Sequence, residues 1–120
     1  MKNVAVVGAS PKTNRYSHNA MKLLEECGYN PIPVAQKRTE ILGRKVYSSL
    51  GSIVDPIDTV TLYIRPSLQA PVLNDVLRLK PFRIIFNPGT ENPEEYERLK
   101  AAGINVVEAC TLILLRTNQF

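Results

Sequence analysis

One glycine and a set of basic residues in the first third of the chain have the types and spacing to bind an anion. Gly8 ends an apolar run that begins at Val4, and a helical pattern follows from about Tyr16. The loop between them carries small, polar and basic residues: Ala9, Ser10, Pro11, Lys12 and Arg15. A glycine turn between a buried strand and a helix lets a ligand approach the backbone, and free N–H groups at a helix start attract an anion. The segment therefore predicts a phosphate-binding corner.

A second basic group follows the next predicted strand, which ends at Val34. Lys37 and Arg38 stand where a domain that binds NAD has an acidic residue for the ribose hydroxyls. Only the first glycine of the Gly-x-Gly-x-x-Gly fingerprint is present, which also disfavours plain NAD. Cations at this position suit a ribose that bears an additional phosphate. NADP carries that phosphate on the 2′ oxygen, and coenzyme A carries it on the 3′ oxygen.

Residue types that perform catalysis or bind metals are sparse. The single histidine excludes a multi-histidine metal site, and two cysteines make neither a metal cluster nor a disulfide framework. We expect no metal and no catalytic residues. His18, with no acid or nucleophile beside it in the sequence, is predicted to lie at the surface, and Cys27 and Cys110 are predicted to lie in the core.

The composition is that of one globular domain spanning residues 1–120, with 44% hydrophobic and 22% charged residues. No apolar run approaches the ~20 residues that span a bilayer, and the N-terminus lacks the shape of a signal peptide. We therefore expect a cytoplasmic protein without a membrane partner. The net charge of +4 is uneven, because residues 1–50 hold eight cationic and three acidic residues. A basic half suits a polyanionic ligand, whereas no arginine-rich run or aromatic-interleaved basic face indicates nucleic acid.

Apolar runs and amphipathic patterns alternate along the chain. Strands are predicted at 3–8, 30–34, 59–64, 82–86 and 104–107, with a short one possible around 45–47. Helices are predicted at 17–27, at 67–79 and from a cap at Asn92 to a stop at Gly103, whereas the tail 111–115 fits a strand or a helix. This alternation predicts an α/β fold, a single Rossmann-like doubly wound parallel sheet with helices on both faces. In such sheets, ligands bind beyond the carboxyl ends of the strands.

Four stretches together resemble the small bacterial coenzyme A-binding protein family. They are residues 4–10, Ile32-Pro33-Val34 with the polar residues after it, residues 42–50, and Tyr63-Ile64-Arg65-Pro66. The same family resembles the N-terminal domain of the succinyl-CoA synthetase alpha chain. The stretch 42–50 is the most diagnostic, because a generic doubly wound fold does not require it. The resemblance covers nearly the whole chain and implies a Rossmann-like domain that binds coenzyme A over the strand exits.

The resemblance also implies which residues contact coenzyme A. Residues implied to surround the pyrophosphate are Gly8, Ala9, Ser10 and the loop residues Pro11, Lys12 and Arg15, beside the end of the second strand at Val34. Lys37 or Arg38 would meet the 3′-phosphate. Residues implied to line the adenine and ribose are Tyr63, Ile64 and Arg65, with Phe86, Asn87 and Pro88 further along the ligand. The catalytic histidine of the synthetase belongs to a separate domain, so the resemblance implies binding without catalysis.

Two other functions remain open at this point. The first is a small NADP-linked reductase or CoA-ester enzyme, for which Cys110, Arg65 and Tyr63 are the candidate groups at strand exits. The thiol of Cys110 is also a candidate for a mixed disulfide with bound coenzyme A. The second is a regulatory or subunit-type module that forms a homodimer through the apolar tail 111–115.

Overall fold

A computed structural model describes all 120 residues, Met1–Phe120. Its main sheet has five parallel strands in the order β2-β1-β5-β6-β7. These strands are β1 (Asn3–Val7), β2 (Asn30–Val34), β5 (Thr59–Leu62), β6 (Arg83–Phe86) and β7 (Asn105–Glu108). A two-stranded antiparallel hairpin is formed by β3 (Glu40–Ile41) and β4 (Arg44–Lys45). The helices are α1 (Tyr16–Glu26), α2 (Ala70–Leu79), α3 (Tyr96–Ala101) and α4 (Thr111–Arg116).

Helices cover both faces of the sheet, as the alternation of strands and helices predicts. Side chains of α2 and α3 pack on one face, against a core that includes Ala5 and Val7 of β1. Side chains of α1 and α4 pack on the other face, against Val4 and Val6. Because side chains alternate along a strand, an apolar run such as β1 serves both cores at once. The doubly wound α/β prediction is therefore confirmed.

Strand β2 lies at one edge of the sheet, which explains its two prolines. Pro31 and Pro33 lack the N–H that a central strand must donate on both sides. The outer side of β2 pairs only with Tyr47, whose N–H donates to the Pro33 carbonyl at 3.0 Å. The predicted short strand around 45–47 thus splits into β4 and this single parallel bridge, which brings the residues after Tyr47 to the carboxyl end of β2.

Helix α1 presents a different face to the sheet from the one predicted. His18 is 5% exposed, and its Nδ1 lies 3.0 Å from the carbonyl oxygen of Ser10, so the prediction of a surface histidine is wrong. Cys27 is exposed, because α1 ends at Glu26 and its buried face runs through Met21 and Leu24. The prediction that Cys27 lies in the core is therefore wrong as well.

The structure decides two further elements. The tail predicted as a strand or a helix forms α4, whose buried residues Leu112 and Leu115 recur at helical spacing. Asn92 takes the predicted N-cap position, before the 3-10 turn, but makes no side-chain capping bond. Its side chain instead donates to Oε1 of Gln69 at 3.1 Å, and a 3-10 turn at Pro93–Glu95 leads into α3. The longest helix, α1, has 11 residues, and no helix combines the length and apolar character needed to cross a membrane.

Candidate functional site

A cleft of about 850 Å³ lies over the carboxyl ends of the strands. From β1 the chain goes to β2 on one side and then returns to add β5, β6 and β7 on the other. The loops after β1 and β5 therefore leave the sheet in different directions, and a crevice opens between them. This reversal of strand order is where doubly wound sheets bind their ligands. The cleft is lined by the exits of β1, β2 and β5, by the loop after β6, and by parts of α1 and α2.

Gly8 is required at the bottom of this cleft for two reasons. Its φ of +90° lies in a region that side chains disfavour. A Cβ atom there would also lie 2.9 Å from Cγ2 of Ile64 and 3.0 Å from the carbonyl oxygen of Tyr63. The loop after β1 thus passes tightly over the exit of β5. The predicted glycine turn is present, and it allows the backbone at Gly8 to pack closely against Tyr63 and Ile64.

The unpaired backbone N–H groups begin after Ala9. The N–H groups of Gly8 and Ala9 both donate to the carbonyl of Val34, at 2.9 and 3.2 Å, so the fold itself uses them. Ser10, Tyr16 and Ser17 line the cleft, and their N–H groups donate to no acceptor in the chain. The N-cap residue of α1 makes no side-chain capping bond, and the first turn contains no acid. The start of α1 therefore offers free donors and an unopposed positive dipole to an anion.

Four basic residues from three strand exits line the cleft: Lys12, Arg15, Arg38 and Arg65. None of them forms an ion pair. Lys37 is also exposed, but it takes a left-handed φ of 57° and lies outside the cleft lining. Of the basic pair after β2, only Arg38 therefore belongs to the cleft. One acidic residue, Asp75 of α2, is among the lining residues.

Tyr63 and Ile64, at the exit of β5, both contribute to the cleft lining. The Tyr63 ring packs against the core shared by α1 and α4, and its hydroxyl is buried without a hydrogen-bond partner in the chain. Burial raises the pKa of Tyr63 to about 12, although the nearby hydroxyls of Thr111 and Thr61 oppose the shift. Tyr63 is therefore a neutral phenol at physiological pH.

The loop after β6 contributes less to the cleft than the resemblance implies. Pro88 lines the cleft, but Phe86 and Asn87 do not, since they are 0% and 2% exposed. The Asn87 amide donates to Oγ1 of Thr61 at 2.7 Å and to the Leu62 carbonyl at 2.8 Å. Its oxygen accepts the N–H of Thr111 at 2.8 Å. Phe86 and Asn87 thus hold the strands and α4 together beneath the site, and the structure does not bring them to the ligand surface.

Several lining residues were not among the site residues predicted from the sequence. They are Tyr16, Ser17, Gln36, Ser48, Ser49, Leu50, Leu68, Pro71, Val72, Asp75 and Thr90. Ser48 and Ser49 end the diagnostic stretch 42–50, so that stretch was the signal for one wall of the cleft. Gln36 ties this wall to the β2 exit by donating to the Ser48 carbonyl at 2.7 Å.

A buried glutamine holds the opposite end of the cleft together. Gln69 is 0% exposed, and its Nε2 donates to the carbonyls of Ile64 at 2.9 Å and Thr90 at 2.7 Å. It therefore joins the exit of β5 to the loop after β6. Cys110 is half-buried and lies outside the cleft lining. No group of three or more His, Cys, Asp or Glu residues is arranged to hold a metal ion.

The sequence matches the family described as "CoA binding domain" over residues 2–116. The chain belongs to this CoA-binding domain family. It is 36% identical over 106 residues to the uncharacterized protein YneT of Bacillus subtilis, covering 88% of this chain and 78% of that protein. It is 35% identical over 80 residues to the alpha subunit of an ADP-forming acetate–CoA ligase of Pyrococcus furiosus, covering 62% of this chain and 17% of the subunit. A crystal structure of an uncharacterized protein superposes with a TM-score of 0.93 at 44% identity, covering 100% of this chain and 98% of that one.

These likenesses support two statements about the chain. Membership of the family supports coenzyme A binding in general, and the structural neighbour shows the same Rossmann-like fold over the full length. Neither the family nor these relatives point to NADP.

Proposed function

We propose that this chain binds coenzyme A, or an acyl-CoA, in the cleft over the strand exits and has no catalytic machinery of its own. The observation that carries the proposal is the basic lining of the cleft in a member of the CoA-binding domain family. Four unpaired cations meet there with the free N–H groups of Ser10, Tyr16 and Ser17. Coenzyme A bears a pyrophosphate and a 3′-phosphate, and such a lining complements several negative charges on one ligand.

The charges along the sheet edge support one orientation of the ligand. The cations come from the exits of β1, β2 and β5, whereas the loop after β6 lines the cleft with Pro88, Gly89 and Thr90. Coenzyme A is likewise divided, with its phosphates at the nucleotide end and an uncharged pantetheine arm. We therefore expect the nucleotide end over β1, β2 and β5 and the arm toward β6. Neighbouring strands are about 4.8 Å apart, so the exits of β2 and β6 lie roughly 14 Å from each other.

Within this orientation, the start of α1 is the site for the pyrophosphate, with Lys12 and Arg15 beside it. Arg38, at the β2 exit, is the residue for the 3′-phosphate. Ile64 and Arg65 lie on the adenine and ribose side, together with the apolar face of α2. The lining contains no histidine or cysteine.

The assignment of Arg38 has a matched control in its neighbour. Arg38→Glu and Lys37→Glu make the same change in charge at adjacent positions, but only Arg38 lines the cleft. We expect Arg38→Glu to weaken coenzyme A binding by roughly tenfold or more, because a charge-assisted contact is worth about 1.5–3 kcal/mol. Lys37→Glu should weaken it only slightly. Isothermal titration calorimetry of both variants with coenzyme A and 3′-dephospho-CoA measures the difference.

Titration with 3′-dephospho-CoA distinguishes a direct contact between Arg38 and the 3′-phosphate from a general effect of the Arg38 charge on an anionic ligand. If Arg38 meets the 3′-phosphate, its replacement changes the affinity for 3′-dephospho-CoA much less than that for coenzyme A. Equal losses for both ligands, or equal losses in the two variants, contradict the assignment of Arg38. A wild-type protein that binds neither ligand contradicts the proposed function. Unchanged acetyl-CoA after long incubation with the protein, followed by chromatography, is the result expected of a domain that binds without catalysis.

A further inference from the structure

One face of α2 and the turn before it borders the cleft and combines apolar side chains with a single carboxylate. Leu68, Pro71, Val72 and Asp75 all line the cleft, at the spacing of one helical face. Leu50 and Ile64 lie in the same lining. A carboxylate in this position is unexpected, because it would repel the phosphates that the four cations attract. A part of the ligand that donates hydrogen bonds would suit this position better than a phosphate.

Asp75 is held in place by two donors from other parts of the structure. Its Oδ2 accepts the N–H of Gly51 at 3.1 Å, and its Oδ1 accepts Nη2 of Arg78 at 2.7 Å. A Cβ atom on Gly51 would come within 3.1 Å of Oδ1, so the turn at Leu50–Ser52 packs closely on the carboxylate. A carboxylate has about four acceptor positions, and these two bonds leave about two of them free. The Asp75 side chain is 24% exposed, so the free positions are open to a ligand.

The nucleotide end of coenzyme A has two donor groups, the ribose 2′-hydroxyl and the exocyclic amine of the adenine, and the apolar neighbours of Asp75 favour the base. The adenine base is a flat apolar ring system with one strong donor group, its exocyclic amine. The amide groups of the ligand belong to the pantetheine arm, which we expect at the other end of the cleft, over β6. A base packed beside Leu50, Ile64 and Val72 would have its amine within the region that Asp75 borders.

We propose that Asp75 accepts a hydrogen bond from the exocyclic amine of the bound adenine and so determines which base the domain selects. The inference rests on the proposed function, since it assigns a role to one wall of the coenzyme A cleft. A base that carries a carbonyl oxygen in place of the amine sets that oxygen against the carboxylate. The site should therefore reject the deaminated, hypoxanthine form of coenzyme A.

The test compares the affinities of coenzyme A and its hypoxanthine analogue for two proteins by calorimetry. The wild type should prefer coenzyme A by roughly 10- to 100-fold, the range expected for a hydrogen bond to a charged group. Asp75→Asn should reduce that preference to about two-fold or less, because an amide accepts from an amine and donates to a carbonyl. A loss of stability alone lowers both affinities and leaves their ratio unchanged.

Arg78→Gln is the matched control, because it removes the ion pair at Asp75 and keeps the carboxylate. The preference for coenzyme A should survive in Arg78→Gln. If the wild type does not discriminate, or if Asp75→Asn lowers both affinities equally, the inference is wrong and Asp75 only anchors the turn at Leu50–Ser52. A preference lost equally in both variants also overturns it.

A ligand with a blocked amine tests the idea without any variant, should Asp75→Asn fail to fold. We expect 1,N6-etheno-CoA to bind the wild type at least tenfold more weakly than coenzyme A. Equal binding of the two contradicts the role of Asp75 and leaves the proposed function intact. Failure of coenzyme A itself to bind removes the proposed function, and the inference with it.

Discussion

The loops after β1 and β6 lie at the same edge of the sheet, yet they use their polar groups in opposite ways. After β1, Lys12 and Arg15 form no ion pair, and the N–H of Ser10 has no partner. After β6, Asn87 is 2% exposed and makes three hydrogen bonds within the chain. Thr90 joins it, donating from Oγ1 to the Asn87 carbonyl at 2.8 Å. The first loop leaves these donors and cations unpaired, and the second uses its polar groups for the fold.

A loop at a strand exit does not have free polar groups merely because of its place in the sheet; its burial decides whether those groups are paired within the chain. A buried polar group must find a partner, because leaving it unsatisfied costs about 1–3 kcal/mol. The loop after β6 is covered by Gln69 and by the start of α4, so its groups pair with the protein. The loop after β1 stays at the surface of the cleft, where solvent can reach its unpaired donors and cations. Three predictions test this division.

The largest effect is expected at Asn87. Asn87→Ala leaves the N–H of Thr111 and the carbonyl of Leu62 without their partner, which should lower the free energy of unfolding by about 4 kcal/mol. Asn14→Ala, in the exposed loop after β1, is the control and should change it by less than about 0.5 kcal/mol. Urea unfolding of the two variants measures the contrast. Similar values for both would remove the distinction between a structural loop and a ligand loop.

A smaller contrast is expected between the glycines of the two loops. Gly8 and Gly89 have nearly equal φ angles, +90° and +91°, but a Cβ at Gly89 meets no atom within 4 Å. Gly89→Ala should therefore cost only the backbone penalty, about 1 kcal/mol. Gly8→Ala adds the clash with Ile64 and Tyr63, for a total of about 3 kcal/mol. Thermal unfolding would argue against the tight β1–β5 crossing if the two alanine variants had the same Tm.

The smallest effect at pH 8 is expected at Tyr63, which directly follows the strand β5 between the two loops. Its buried hydroxyl has no partner in the chain, so Tyr63→Phe should raise the free energy of unfolding by about 1 kcal/mol at pH 8. The pKa of Tyr63 is raised from 10.0 to about 12 in the folded protein, first of all by burial. The unfolded chain therefore loses this proton at a lower pH than the folded protein. The free energy of unfolding is unaffected by Tyr63 ionisation below pH 10 and falls as the pH rises from 10 toward 12.

Tyr63→Phe should remove this part of the alkaline destabilisation, about 2 kcal/mol at pH 11.5. Urea unfolding of the wild type and the variant at pH 8 and pH 11.5 measures both effects. A variant that is less stable than the wild type at pH 8 would mean that the hydroxyl has a partner after all. An unchanged gap between the two proteins at the two pH values would argue against burial of the phenol.

Much of the fold follows from local patterns in the sequence. The apolar run before Gly8 predicts a strand buried on both faces, and the prolines of β2 predict either a strand start or a partly unpaired edge. The structure shows the buried strand and, of these two alternatives, the edge. These predictions succeed because strand burial and proline geometry depend on the residues themselves. His18 and Cys27 were predicted wrongly, because His18 is buried against the carbonyl of Ser10 and Cys27 lies beyond the end of α1 at Glu26. Both outcomes depend on where the helix ends and on what packs against it.

For the candidate site, local sequence patterns were enough to predict the glycine turn, the basic loop after it and the basic exit of β2. Each of these features is a short stretch whose chemistry follows from its residue types. The folded chain was needed to show that Arg38 and not Lys37 lines the cleft, that Phe86 and Asn87 belong to the fold, and that Asp75 borders the cleft. Each of these depends on which distant segments meet at one edge of the sheet. The burial and pairing of a side chain depend on which segments come together there, so no local sequence pattern predicts them.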